Sequence, residues 1–201
     1  AALTTAQIAP SVNALYKIQL TYGANDDTYE EGRILSIEHV EEAYHQQAEV
    51  VLNNSDLAIT PDYRGYKGVI SYGMKPPASS NYSACAPLWV ISQENHSSEG
   101  QLTVALTLQG IPDLMEQDKA SAAYVLTQAD TQTVKTLLTA VVAATMTPFT
   151  HCVAYTATFD SEDSLVDAFV PAASFAVDLN DTRLDVIKRL MGYWKGAMRV
   201  E

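Results

Sequence analysis

The strongest constraint on the fold lies in residues 88–120, LWVISQENHSSEGQLTVALTLQGIPDLMEQDKA. In the second half of this segment, large apolar residues alternate with small or polar ones: Leu102, Val104, Leu106 and Leu108 against Thr103, Ala105 and Thr107. A period of two is typical of a β-strand that buries one face. The polar residues 94–100 predict a hairpin turn that joins this strand to a preceding strand, LWVISQ.

Shorter alternating segments predict further strands in the first half of the chain. They lie at residues 15–22, at two places within residues 32–55, and at residues 68–74. Residues 75–87 are rich in Pro and Ser and predict an irregular connector. Because the connections are mostly local, the pattern favours an antiparallel barrel or sandwich.

From Pro112 onward the apolar spacing becomes helical. We predict a first helix from Pro112 toward Ala123 and a second helix capped by Asp130. The second helix has a buried stripe formed by Val134, Leu137, Leu138, Val141 and Thr145. Thr182 is the predicted N-cap of a later helix that carries Trp194 on its apolar side.

The remaining C-terminal segments alternate between the two types of element. Residues 151–159 and 174–179 predict strands, with a short helix around residues 165–169 between them. The final residues, AMRVE, predict the start of another strand, so we expect a truncated chain.

The fold class expected from these patterns is α+β. An antiparallel, barrel-like β-rich domain over residues 1–125 carries packed helices, and a mixed α/β segment covers residues 126–201. That segment either returns to the same barrel or opens a truncated second domain.

The net charge of the chain argues against a nucleic-acid-binding function. The formal net charge of −12 disfavours a nucleic-acid-binding surface, which needs Lys and Arg to neutralise phosphates. Between Asp26 and Asp62 there are ten carboxylates and one base, Arg33. This acidic run indicates either a solvated face or a surface that repels a polyanion, such as the wall of a channel through which DNA slides.

The residue types used in catalysis form no recognisable motif. The four histidines, His39, His45, His96 and His151, are candidates for acid–base work. His39 and His45 are about 20 Å apart on a strand, too far to share one metal ion. The side chains of His151 and Cys152 would point to opposite faces of the predicted strand. Acidic residues at the start of a helix complement the positive end of its dipole. This role in the short predicted helix accounts for Asp160, Glu162, Asp163 and Asp167 without a catalytic or metal site.

We therefore predict no enzymatic activity, no cofactor and no metal site. The two cysteines, Cys85 and Cys152, lie far apart in sequence and are expected to be buried thiols rather than a disulfide. An alternative function is a surface or secreted carbohydrate-binding module that uses Tyr63 and Tyr66 in an exposed loop.

Membrane embedding is not expected. No stretch approaches the roughly 18 consecutive apolar residues of a membrane helix, and residues 1–13 lack the basic and apolar parts of a secretion signal. We expect a soluble protein that is made inside the cell.

Two segments carry a resemblance to a known family. The order EVVLNNSD…GYKGVISYGM…LWVISQENHSSEGQLTVALTLQGIPDLM resembles the tube domain of bacteriophage tail hub proteins of the late-control, baseplate type. The segment VPAASFAVDLNDTRLDVIKRLMGYWKGAMRVE is similar to the stretch in those proteins where an extended segment leads into a helix and then a strand. Together the segments cover roughly residues 47–120 and 170–201.

The resemblance implies a structural subunit of the virion tail that is made in the host cytoplasm. Such a subunit self-associates, usually as a homotrimer, into a ring that adapts the tail tube to the tip or spike, with DNA as cargo that does not stick. Strand faces with Thr, Ala and Gln are suited to contacts between subunits. The acidic residues expected to face the lumen are Glu38, Glu41, Glu42 and Glu49.

Overall fold

A computed structural model describes residues 13–75, 81–98, 100–159, 168–193 and 198–200. The chain divides into two compact units, one formed mainly by residues up to Ile111 and the other by residues from Pro112 to Met198. The first unit is built on a β-sheet, and the second combines short helices with irregular segments and one two-stranded pairing. The α+β class predicted from the sequence is confirmed.

The first unit contains one antiparallel sheet of eight strands. These strands are β1 (Asn13–Tyr22), β2 (Asn25–Glu30), β3 (Ile34–Glu42), β4 (His45–Asn53), β5 (Lys67–Lys75), β6 (Asn81–Ala84), β7 (Leu88–Ser98) and β8 (Gln101–Gln109). Their order across the sheet is β2-β1-β5-β7-β8-β4-β3, and β6 also pairs with β5. The predicted strands at residues 15–22, 32–55, 68–74 and 88–109 are all present.

One face of this sheet forms the core of the unit. Alternate residues of β1, β4, β5 and β8 are buried there, as the period of two predicts. The core comprises Ile18, Leu20, Ile34, Ala48, Val50, Leu52, Ile59, Tyr63, Tyr66, Ile70, Leu88, Val90, Val104, Leu106 and Leu108. Side chains at the intervening positions form the opposite face of the sheet, called the outer face below.

The sheet is not closed into a barrel, which corrects the barrel-like prediction. The outermost strands β2 and β3 are joined by residues 31–33, yet they form no backbone ladder with each other. Side chains contact each other across this opening. The rings of His39 on β3 and Tyr72 on β5 stack with their centroids 6.0 Å apart. A cavity of about 320 Å³, lined by Tyr16, Ser36, Ile37 and Tyr72, lies in this region.

Three local features of the sheet differ from the predictions. Strand β2 was not predicted, and β6 lies within the segment predicted to be an irregular connector. The β7–β8 hairpin is tighter than expected, because Ser98 pairs with Gln101. Gly100 accommodates the turn with a φ of +84°.

The second unit contains α1 (Ile111–Gln117), β9 (Tyr124–Val125), α2 (Val134–Val142), β10 (Ala176–Val177) and α3 (Arg183–Met191). Strands β9 and β10 pair with each other. Thr133, not Asp130, caps α2, and Asp130 instead accepts bonds from Thr127. Thr182 caps α3 as predicted, through the N–H of Asp185.

Other predictions for this unit are shortened or wrong. Only Ala176–Val177 of the predicted strand at residues 174–179 is a strand, and residues 151–159 and 198–200 are irregular. Trp194 and most of residues 165–169 lie outside the described residues. No helix in the described part of the chain is both long and apolar enough to cross a membrane.

A buried arginine organises the described part of the second unit. The Arg183 side chain is fully buried, and its Nε donates to the carbonyl of Val141 at 2.9 Å. Its Nη1 donates to the Val153 carbonyl at 2.7 Å and to Asp118 Oδ2 at 2.9 Å, and its Nη2 donates to the Val142 carbonyl. One guanidinium thus joins the end of α2, the segment after α1 and residues 151–155.

Arg183 explains why residues 151–159 do not form the predicted strand. The Val153 carbonyl accepts from Arg183, and the Tyr155 N–H donates to the Val142 carbonyl at 2.9 Å. The Tyr155 ring lies 5.3 Å from the guanidinium carbon. These backbone groups are bound to a buried charge and a helix end, so they are not available for a strand ladder.

We predict that Arg183→Met lowers the free energy of unfolding of this unit by about 3 kcal/mol or more, because it leaves buried carbonyls and Asp118 without their donor. Urea denaturation, with hydrogen exchange of peptides from α2 and α3, measures the effect. Arg189→Met is the matched control on the same helix, since Arg189 is partly exposed. Equal losses in the two variants would contradict the assigned role of Arg183.

Candidate functional site

The acidic run seen in the sequence coincides with both outermost strands of the sheet. Strand β2 carries Asp26, Asp27 and Glu30 at one edge. Strand β3 carries Glu38, Glu41 and Glu42 at the other edge, and Glu49 follows on β4. The run is therefore divided between two edges of one sheet.

The four glutamates predicted to face a lumen are all exposed, but they do not share one face. Glu38 is directly opposite Glu49, and Glu42 is opposite His45, on the outer face. Glu41 pairs with the buried Gln46 and lies on the inner side with His39. Three of the four carboxylates thus belong to one surface, and Glu41 belongs to another.

The outer face continues from these carboxylates onto small and neutral side chains. Glu49 on β4 is the cross-strand partner of Thr107 on β8, and Thr107 is the partner of Ser92 on β7. The four adjacent strands β3, β4, β8 and β7 contain no Lys or Arg. We call the outer face of these four strands the base-free face.

The tyrosines proposed as a sugar-binding loop are buried in the core. Tyr63 is fully buried and Tyr66 is 9% exposed. The Tyr63 hydroxyl lies 2.5 Å from that of Tyr29 and donates to Asp27 Oδ2 at 3.1 Å. Burial, followed by the bond to Tyr29, raises the pKa of Tyr63 above its usual value. The predicted exposed loop is wrong, because these two rings fill the core.

The histidines occupy four different environments. His45 lies at the start of β4, and His96 lies on β7 with its Nε2 3.4 Å from Glu94. The His39 side chain is 7% exposed on the inner side of β3. His39 and Glu41 lie close to Cys85, with one ligand atom from each residue within 4.8 Å of the others. The proximity of these three side chains was not predicted from the sequence.

His151 and Cys152 contact each other, contrary to the prediction for a strand. The Cys152 Sγ lies 3.5 Å from His151 Nε2. Burial and the nearby Asp118 raise the pKa of the Cys152 thiol. A raised pKa is the opposite of what a nucleophilic thiolate requires. Both cysteines are free thiols, and they are half-buried rather than buried as predicted.

No protein-family model matches the sequence, and no curated protein matches it. Among solved structures, the chain is similar to a tail protein from Neisseria meningitidis MC58, with a TM-score of 0.51 and 11% sequence identity. The likeness covers 88% of this chain and 45% of that one. The chain shares the fold of this tail protein over that range. The predicted resemblance to phage tail proteins is confirmed at the level of the fold.

Two further solved structures resemble the chain with lower TM-scores. The prophage MuSo2 43 kDa tail protein from Shewanella oneidensis has a TM-score of 0.47 at 11% identity, covering 87% of this chain and 48% of that one. The lidded Francisella PdpA-VgrG complex has a TM-score of 0.40 at 11% identity, covering 60% of this chain and 19% of that one. The chain spans less than half the length of each of these three proteins.

We predict that Glu49→Gln raises the free energy of unfolding by about 0.2–1 kcal/mol, because Glu38 and Glu49 are like charges directly opposite each other. Urea denaturation at low and high salt measures the gain, which should shrink as salt screens the pair. Glu42→Gln is the matched control, since Glu42 is opposite His45 rather than another carboxylate. A loss of stability in Glu49→Gln would contradict the assigned repulsion.

Proposed function

We propose that this protein is a structural subunit of a phage-type tail, acting as a hub or adaptor between the tail tube and the tip or spike. The observation that carries the proposal is the tail-protein fold shared with the Neisseria meningitidis protein over 88% of this chain. In the proposed assembly, three copies form a ring around the DNA conduit. No catalytic role is part of the proposal.

The base-free face supports the conduit part of this proposal. It carries Glu38, Glu42, Glu49 and Glu94 and no Lys or Arg. Duplex DNA is a dense polyanion whose affinity for proteins depends on cationic contacts to phosphate. A surface with carboxylates and no Lys or Arg offers phosphate no permanently cationic partner and repels DNA at short range.

The proposed lumen surface differs from the one expected from the sequence. That expectation has small polar strand faces in contact with other subunits and acidic strands facing the lumen. Glu49 and Thr107 are direct neighbours on the same face, so a single surface carries both types of residue. We assign the whole base-free face to the conduit, and Glu41, on the inner side of β3, is removed from the lumen set.

The first expected outcome is a threefold assembly. Light scattering over a concentration series should give a mass three times the chain mass of 21.8 kDa, and negative-stain images should show rings with a central hole. An unchanging monomer over this series would contradict self-assembly by this segment. The shared fold would remain, but the ring would then require parts of the tail protein beyond it.

The second expected outcome concerns the base-free face. Glu49→Cys and Thr107→Cys, each in a chain whose Cys85 and Cys152 are replaced by Ser, provide single thiols for a gold label on that face. Labelled rings should show the gold inside the central hole for both variants. The matched control is the chain without cysteine, which should show no added density. Gold outside the ring at both positions would overturn the conduit assignment while leaving the tail role intact.

A further inference from the structure

Three side chains that bind metals in other proteins meet on the inner side of β3. His39 and Glu41 are two residues apart on this strand and therefore face the same side. Cys85 follows the short strand β6, where its N–H donates to the Ile70 carbonyl at 2.9 Å. One ligand atom from each residue lies within 4.8 Å of the other two.

The histidine of this cluster has a buried nitrogen without a hydrogen-bond partner. The His39 side chain is 7% exposed, and its Nε2 is buried and unpaired. The closest carboxylate oxygen, Glu41 Oε2, is 4.0 Å away, beyond hydrogen-bond distance. A buried polar atom without a partner destabilises the folded state, so a ligand at His39 Nε2 would relieve this cost.

The other side of the His39 ring is held in place. Its Nδ1 lies 3.4 Å from the Tyr72 hydroxyl, and the two rings stack with an interplanar angle of 18°. Metal-binding histidines characteristically use the second ring nitrogen for a hydrogen bond that fixes the ring. Tyr72 occupies this position relative to His39, which leaves Nε2 on the side of Glu41.

We propose that His39, Glu41 and Cys85 bind a divalent transition-metal ion of the zinc type. Nitrogen, carboxylate oxygen and thiolate sulfur are the donors that Zn²⁺ uses, with bond lengths of about 2.0–2.3 Å. Ligand atoms around one tetrahedral ion are then roughly 3–4 Å apart, so a small inward movement of the side chains completes the site. Glu41 is free to move, because its side chain is 43% exposed.

The proposed ion would connect two parts of the sheet that share no backbone ladder. His39 and Glu41 belong to the edge strand β3, and Cys85 is attached to β5 through Ile70. The metal would therefore act as a clip across the opening of the sheet. With three protein ligands, the fourth position is left for water. We assign the ion a structural role because it would connect β3 to the segment held on β5.

The test uses Co²⁺ as a coloured probe and Zn²⁺ as its competitor. Titration of the chelator-treated, reduced protein should show one Co²⁺ per chain, with the intense near-ultraviolet absorption of a thiolate–cobalt bond. Added Zn²⁺ should abolish this absorption. Zn²⁺ should also raise the midpoint of thermal unfolding of the unmodified chain, because a ligand that binds only the folded state stabilises it.

Variants assign the ligands individually. Cys85→Ser should remove the thiolate–cobalt absorption and the stabilisation by Zn²⁺, whereas Cys152→Ser, the control at the other thiol, should retain both. His39→Gln and Glu41→Gln should keep the absorption but weaken Co²⁺ binding by about tenfold or more. Because Glu41 is partly exposed, Glu41→Gln tests the site even if a variant at a buried position does not fold.

Two results would overturn the proposal. One is the absence of thiolate–cobalt absorption from the unmodified chain at excess Co²⁺. The other is absorption that survives Cys85→Ser and disappears in Cys152→Ser, which would place the metal at His151 and Cys152. Neither result bears on the tail-subunit proposal, which rests on the fold and on assembly.

Discussion

Burial of a single apolar face fixes the register of the whole eight-stranded sheet. Residues such as Leu20, Val50 and Leu106 occupy alternate positions on three different strands and are all fully buried. A slip of one residue in any of these strands would expose its apolar set to water and bury its polar set. The inner core therefore also determines the outer face: Glu38, Glu49 and Thr107 are neighbours because Val50 and Leu106 must be buried.

The sequence predicted the strands whose own composition alternates, and it failed where a strand depends on its neighbour. Strand β2, NDDTYE, has no apolar period, and it exists because its backbone pairs with β1. Residues 151–159 show the opposite failure. Their side chains alternate, but Val153 is exposed and its carbonyl binds Arg183, so the local pattern is overridden by one buried charge. Neither competing interaction can be seen within a short window of sequence.

The candidate sites show the same limit. Exposure of the glutamates follows from their charge. The alternation of side chains along β3 places Glu41 on the opposite face from Glu38 and Glu42, but the prediction did not apply this alternation. The proximity of His39 to Cys85 depends on how the sheet curves, because the two residues are 46 positions apart. Tyr63 was expected at the surface because Pro61 and Gly65 surround it, but its aromatic ring contributes more by filling the core.

The position of the acids at both edges of the sheet has a consequence for assembly. An unpaired edge strand offers free N–H and C=O groups to any other extended chain, and charged side chains oppose that addition. Strands β2 and β3 each carry three carboxylates, so a second copy that approaches either edge with its own acidic edge meets like charge. Growth of the sheet from molecule to molecule is thereby disfavoured. Contacts between copies should form through faces and loops, which permits an assembly of defined size instead of a fibre.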